Sequence, residues 1–341
     1  MKKIKHFKST NISDTQLWVE SIRHMRISHC FYPGCKNKNI IKSHTLQNNG
    51  VISKLALKNQ VCMPRVSRDS MGPLDKKMGL ELRKVGKNIA TTFTGFCKEH
   101  DDKLFADIEK TKWQINDKTA FLFTYRTICS ELQTKQEFIK RIDYIVNKKF
   151  WKISNLPEYT QADYQLNKLA VSDLKRVKNQ CDHYLEKSED KEIPILGIAL
   201  DMPQAKFAIS GYYIPYYDFN GKLMNRRFGE VDFPVFVNII PYGNKTIAFL
   251  TASRDDYEKF YKDFFAEIND LSLVKKEIFL TNISIKSSDN LVISPEAAKN
   301  LTRDQVKLIE GENNSDYVAL ETIAESGRLD LIDKGLNLFK I

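Results

Sequence analysis

The chain has 341 residues, 42% of them hydrophobic, with 20 Phe and 14 Tyr; this is a globular composition with room for two or three domains, not a disordered one. No run of eighteen apolar residues occurs, and the opening "MKKIKHFKSTNISD" leads into polar residues, so neither a membrane span nor a secretory signal is expected. The net charge of +10 is unevenly placed: residues 1–110 hold 21 Lys and Arg against 10 Asp and Glu, a net of +11, whereas the remaining 231 hold 32 against 33.

These features point to a cytoplasmic protein, in which six cysteines stay reduced and their clustering favours metal binding or catalysis over disulfides. A basic first segment is what binding to the phosphate backbone of DNA or RNA requires, although a lysine-rich solvated surface is the plainer reading of such charge.

Taken in order, "SDTQLWVESIRHM" reads as a short helix with Ser13 at its N-cap. "CFYPGC" follows, and then "IIKSH", a strand ending at His44. Residues 49–77 read as partly helical, then as loop around Pro64, Gly72 and Pro73. "GFCKEHDDKLFADIEK" brings a Cys-x2-His pair and a helix over its second half. Two apolar stripes at helical spacing predict long helices within 116–187: Phe121, Tyr125, Ile128, Leu132, Phe138, Ile142 and Ile145, then Leu166, Ala170, Leu174, Val177, Cys181 and Tyr184. "FWKISNLPEY" separates them, giving a helical hairpin that acts as a connector or as a homodimerisation element.

After "EKSEDKEIP" the pattern turns strand-like in "ILGIALDM", "KFAISGYYIPYYDF", "VFVNIIPY" and "TIAFLTAS", with Asn220-Gly221 and Gly243-Asn244 as hairpin turns. "SRDDYEKFYKDFFAEI" is an aromatic-faced helix, and "SPEAAKNLTRDQVKLIEG" another, with Ser294 at the N-cap, Pro295 at the first turn and Gly311 past the end. Tyr212, Tyr213, Tyr216 and Tyr217 either stack bases or pair across a sheet. No phosphate-binding glycine loop and no G-x-S-x-G elbow occurs. The expected fold is α+β: an N-terminal zinc-stapled ββα unit over residues 1–112, a helical hairpin over 113–190, and a C-terminal α+β domain with an antiparallel sheet over 191–341, of sensing or interaction type.

Cys30-x4-Cys35 and Cys97-x2-His100 form two short ligand pairs of the kind that close a tetrahedral zinc site. Pro33 and Gly34 suit a tight knuckle, and knuckle, hairpin and then helix outline a treble clef. Cys62, Cys129 and Cys181 stand alone on apolar stretches and read as buried thiols. Asp101 shares a helix face with Leu104, Phe105 and Ile108, where a carboxylate needs a partner such as a cation; Asp101 or Asp102 could equally cap the helix. His44 reads as a further zinc ligand, a structural histidine or a catalytic one; His24 and His29 carry no motif, and His6 and His183 read as surface residues.

Over residues 28–112 the arrangement resembles the HNH, or histidine–metal finger, nucleases. The resemblance implies that His44 is the general base, that Cys30, Cys35, Cys97 and His100 hold structural zinc, and that Asp101 holds a catalytic Mg²⁺ or Mn²⁺. Where such a protein often has His or Asp before the base, this chain has Ser43, and Asn48 and Asn88 are the candidates for the asparagine that orients the histidine loop. The implied function is metal-dependent cleavage of phosphodiester bonds in nucleic acid, in a phage-defence or restriction-type setting. A non-catalytic zinc-finger protein binding DNA or RNA is the alternative.

Overall fold

The computed structural model describes residues 13–66, 79–110, 112–187, 192–225, 231–287, 290–311, 332 and 335–341. His6, Gly72 and Pro73 lie outside these. Helix α1 (Asp14–His24) begins as expected at Ser13, whose hydroxyl accepts from Gln16 N while the Gln16 side chain accepts from Ser13 N, a reciprocal capping box. Strand β1 (Ile40–His44) follows the knuckle, and a π-turn at Asn48–Ile52 runs into the short α2 (Ser53–Leu55). Strands β2 (Gln60–Val66) and β3 (Leu80–Gly86) come next, then β4 (Thr92–Cys97), α3 (Lys98–Leu104) and α4 (Ala106–Glu109). The hairpin of long helices is α5 (Asp117–Lys149) and α6 (Glu158–Lys187).

The C-terminal half adds β5 (Ile195–Pro203), β6 (Phe207–Tyr213), β7 (Val235–Tyr242) and β8 (Lys245–Ser253). A helical run of α7 (Arg254–Asp256), a π-turn and α8 (Lys262–Asp270) follows, then α9 (Leu273–Ser287), β9 (Val292–Ile293), α10 (Pro295–Asn300) and α11 (Arg303–Glu310). The last two were expected as one helix. Thr302 breaks it: its hydroxyl accepts from Gln305 N and starts a second capped helix.

Two antiparallel sheets form. β1 pairs only with β4, while the other strands make a seven-stranded sheet in the order β3-β2-β9-β6-β7-β8-β5. The near-continuous apolar runs of β7 and β8 follow from burial on both faces. Phe236, Ile240 and Phe249 pack into one cluster with Phe121, Phe123 and Ile128 of α5; Val237, Ile239 and Leu250 pack into another with Phe264, Phe265 and Phe279. Tyr212 and Tyr213 lie against Phe236 and Phe279, and burial pushes both phenols up, so these rings serve packing rather than an open stacking surface.

Pro64, expected in a loop, sits inside β2. There it pairs with Leu82, whose N–H donates to Glu310 Oε1 (2.8 Å) rather than to β2, so this pair exchanges no ladder bond and the missing proline donor costs nothing. Through β2 and β9 the 60–86 hairpin joins the C-terminal sheet, and side chains on both sides of residues 112 and 190 share one apolar cluster.

Helix α5 is buried on all sides from Phe121 to Gln133, as a helix running through a core must be. Its polar side chains are satisfied on the sheet: Thr124 and Thr251 hydroxyls lie 2.7 Å apart, and Thr127 Oγ1 meets Ser210 Oγ (2.7 Å) and Asn238 Oδ1 (3.0 Å). Thr127→Val should cost about 1–3 kcal/mol, the usual cost of orphaning buried polar partners; urea unfolding measures it, and an unchanged midpoint would mean the two sheet groups repartner freely.

Candidate metal centre

The four ligand-type side chains predicted from sequence come together. Cys30, Cys35, Cys97 and His100 place their ligand atoms within 4.8 Å of one another, a cluster that could hold a metal ion such as zinc. Cys97 Sγ lies 3.2 Å and Cys30 Sγ 3.7 Å from His100 Nδ1. Around a tetrahedral zinc ion, sulfur and imidazole nitrogen stand roughly 3.6 Å apart, so the pairs are already near ligand spacing.

Local backbone explains the convergence. Gly34 takes φ +70° at the knuckle tip, a left-handed conformation that a side chain resists, and so returns the chain to Cys35. The knuckle docks on β4 where Phe31 N donates to Gly95 O (2.7 Å); a Cβ at Gly95 would meet the rings of Phe93 and Phe31 within 3 Å. Cys97 N donates to Cys30 Sγ and Asn37 N to Cys35 Sγ, each at 3.4 Å, and the His100 ring stacks on Tyr32 with centroids 4.0 Å apart. From behind, Lys178 Nζ donates to Phe31 O (2.7 Å) and to the Asp182 carboxylate, holding the knuckle against α6.

Cys97 also stands at the N-cap of α3. The helix therefore starts earlier than "DDKLF", His100 falls in its first turn, and Asp101 and Asp102 are inside the helix rather than capping it. Asp102 is exposed and pairs with Lys98 at 3.1 Å. Asp101 is half-buried; burial pushes its carboxyl up, while the Arg126 guanidinium and the Ser43 hydroxyl pull the other way. Asp101 Oδ1 and Ser43 Oγ are both buried without a hydrogen-bond partner, two orphaned oxygens from α3 and β1 that suit a hard cation.

His44 ends β1 next to this helix. The β1–β4 register slips between Ile41 and Ser43, so that Thr94 and Gly95 together face Lys42, a bulge of the kind that re-aims neighbouring side chains. Nδ1 of His44 lies 2.9 Å from Ala90 O. A carbonyl only accepts, so Nδ1 carries the proton and Nε2 keeps its lone pair. Burial lowers the His44 pKa below 6.5; the Ala90 bond, Glu109 and Asp101 oppose this and Arg126 reinforces it. Thr45 then ties the turn down, its hydroxyl reaching Ser130 Oγ of α5 (2.8 Å) and Thr91 O (3.1 Å). The expected asparagines meet each other: Asn48 Nδ2 donates to Asn88 Oδ1 (3.4 Å), on the turn that also carries Ala90.

Other expectations fall outside the cluster. Cys62, Cys129 and Cys181 are buried thiols in the apolar clusters, His24 stacks near Tyr144, and His29 meets Phe31 edge-on. Arg126 was not anticipated, although an arginine within "AFLFTYRTIC" was a visible break in an apolar helix stretch.

Fold and site together define a mixed α+β protein with a candidate Cys3His metal centre beside a half-buried His–Asp pair. No family model, no curated protein and no solved structure matches this chain. Among the described residues, no helix is long and apolar enough to cross a membrane.

Proposed function

We propose that this protein is a metal-dependent nuclease of the HNH, or histidine–metal finger, type. In this reading Cys30, Cys35, Cys97 and His100 hold a zinc ion that completes a treble clef, and the basic first segment binds DNA or RNA through its phosphates. The observation that carries the reading is His44: a neutral imidazole, fixed by Ala90 with Nε2 unprotonated, near a carboxylate whose buried oxygen lacks a partner. Lys36, Lys38 and Lys42, between Cys35 and His44, are exposed, and among the described residues no carboxylate lies within 4 Å of them.

The residues divide the chemistry as follows. His44 Nε2 takes a proton from water as the oxygen attacks phosphorus. Ser43 Oγ and Asp101 Oδ1 provide the oxygen ligands for Mg²⁺ or Mn²⁺. When bound, such an ion supplies charge neutralisation at the phosphate and at the departing oxygen. The Ala90 carbonyl keeps the imidazole in one tautomer, and the Thr45–Ser130 contact keeps its turn in place. The C-terminal half fits a sensing or partner-binding role in a restriction-type or phage-defence effector, and homodimerisation through the helical middle is part of this reading.

Plasmid, single-stranded DNA and RNA incubated with Mg²⁺, Mn²⁺ or EDTA test it. Cleavage should require the ion and should fall at least about 100-fold in Asp101→Asn. Salt-sensitive binding by the zinc-loaded wild type without cleavage of any substrate would return the non-catalytic zinc-finger reading. The pH profile has a definite sign. The base works unprotonated and its pKa lies below 6.5, so the rate should hold level as pH falls to 6.5 and decline only below it. An acid limb centred above 6.5 belongs to another group.

A further inference from the structure

Arg126 is the largest fully buried side chain in the described structure, and it is charged. Its Nη1 donates to Glu109 Oε1 at 2.6 Å, but Glu109 is 44% exposed, a weak partner for a guanidinium withdrawn from water. The guanidinium lies 4.0 Å from the centre of the Phe105 ring, and its Nε has no hydrogen-bond partner. Phe105 stands four residues after Asp101, with Phe105 N donating to Asp101 O, so Arg126 covers the helix face that carries Asp101. The charged groups facing the His44 imidazole are Asp101 of α3, Glu109 of α4 and Arg126 of α5, along with the Ala90 carbonyl. Arg126 is held rigidly, because the same stretch of α5 is tied to the sheet through Thr124 and Thr127 and to the His44 turn through Ser130.

We propose that Arg126 is a positioning residue of this site: clamped between Glu109 and Phe105, it seats α3 and α4 against α5 and fixes a positive charge beside His44. The inference rests on the reading of His44 as a general base, and adds a residue from outside the ββα unit to its machinery. Arg126 acts through His44, disfavouring the imidazolium and so keeping the base ready at neutral pH; Glu109 pulls in the opposite sense.

The test is an NMR pH titration of the His44 imidazole in the full-length zinc-loaded protein, for wild type, R126K, R126M and E109Q. R126M should move the His44 midpoint upward by about half a pH unit or more, R126K should stay close to wild type, and E109Q should move it downward. Zinc content and circular dichroism report folding, and if R126M does not fold, the E109Q shift decides alone. Midpoints that do not move, or that move in the same direction in R126M and E109Q, overturn the proposal. Where cleavage is measurable, its acid limb should follow the same shifts. Opposed shifts in a protein that cleaves nothing would keep Arg126 beside His44 and remove the nuclease reading instead.

Discussion

His44→Ala should lower metal-dependent phosphodiester cleavage by roughly 100- to 10,000-fold, the range that a positioned general base contributes. The loss should appear in kcat, because proton abstraction stabilises the transition state and adds little to substrate binding. Zinc content should be unchanged, since the imidazole stands outside the four-ligand cluster and its Nδ1 bond goes to Ala90. Stability should change little near neutral pH and improve in mild acid. A histidine whose folded pKa is depressed binds fewer protons folded than unfolded, so wild-type stability declines as pH drops through 6.5, and the alanine variant lacks that dependence. Cleavage at the wild-type rate by a zinc-loaded alanine variant would reduce His44 to a structural histidine.

Cys97→Ser carries the largest expected effect on folding. A structural zinc site contributes about 10–16 kcal/mol of apparent binding energy in small zinc-finger peptides, comparable with the whole stability of an ordinary domain, roughly 5–15 kcal/mol. Here the cluster joins the knuckle, the end of β4 and the start of α3, segments far apart in sequence. Cys97→Ser should abolish stoichiometric zinc binding and strip hydrogen-exchange protection from β1, β4 and α3. The β5–β8 strands should keep theirs, since Leu250, Val237 and Ile239 pack on α8 and α9 without help from the knuckle. Cys129→Ser, in a buried thiol outside the cluster, should retain the metal. Full zinc occupancy in Cys97→Ser would show that the four side chains are not the ligand set.

The four-ligand set was legible because Cys30-x4-Cys35 and Cys97-x2-His100 are local pairs, and a knuckle and a helix turn each bring two donors together by themselves. The insertion between the pairs was not. Residues 60–66 pair with 80–86 on one side and with Ile293 on the other, more than two hundred residues away, and no local period announces such a partner.

By itself the sequence determined the elements: the Ser13 and Ser294 caps, the α5–α6 break, the apolar strands and the ligand pairs. Each rests on propensities and spacings within one or two turns of chain. The tertiary structure alone decided that Pro64 lies in a strand, that Thr302 divides a helix, that His44 presents Nε2, and that Arg126 of α5 stands beside it. Those outcomes depend on which distant carbonyl, strand or ring a group meets after folding, and a single chain of letters does not contain that distance.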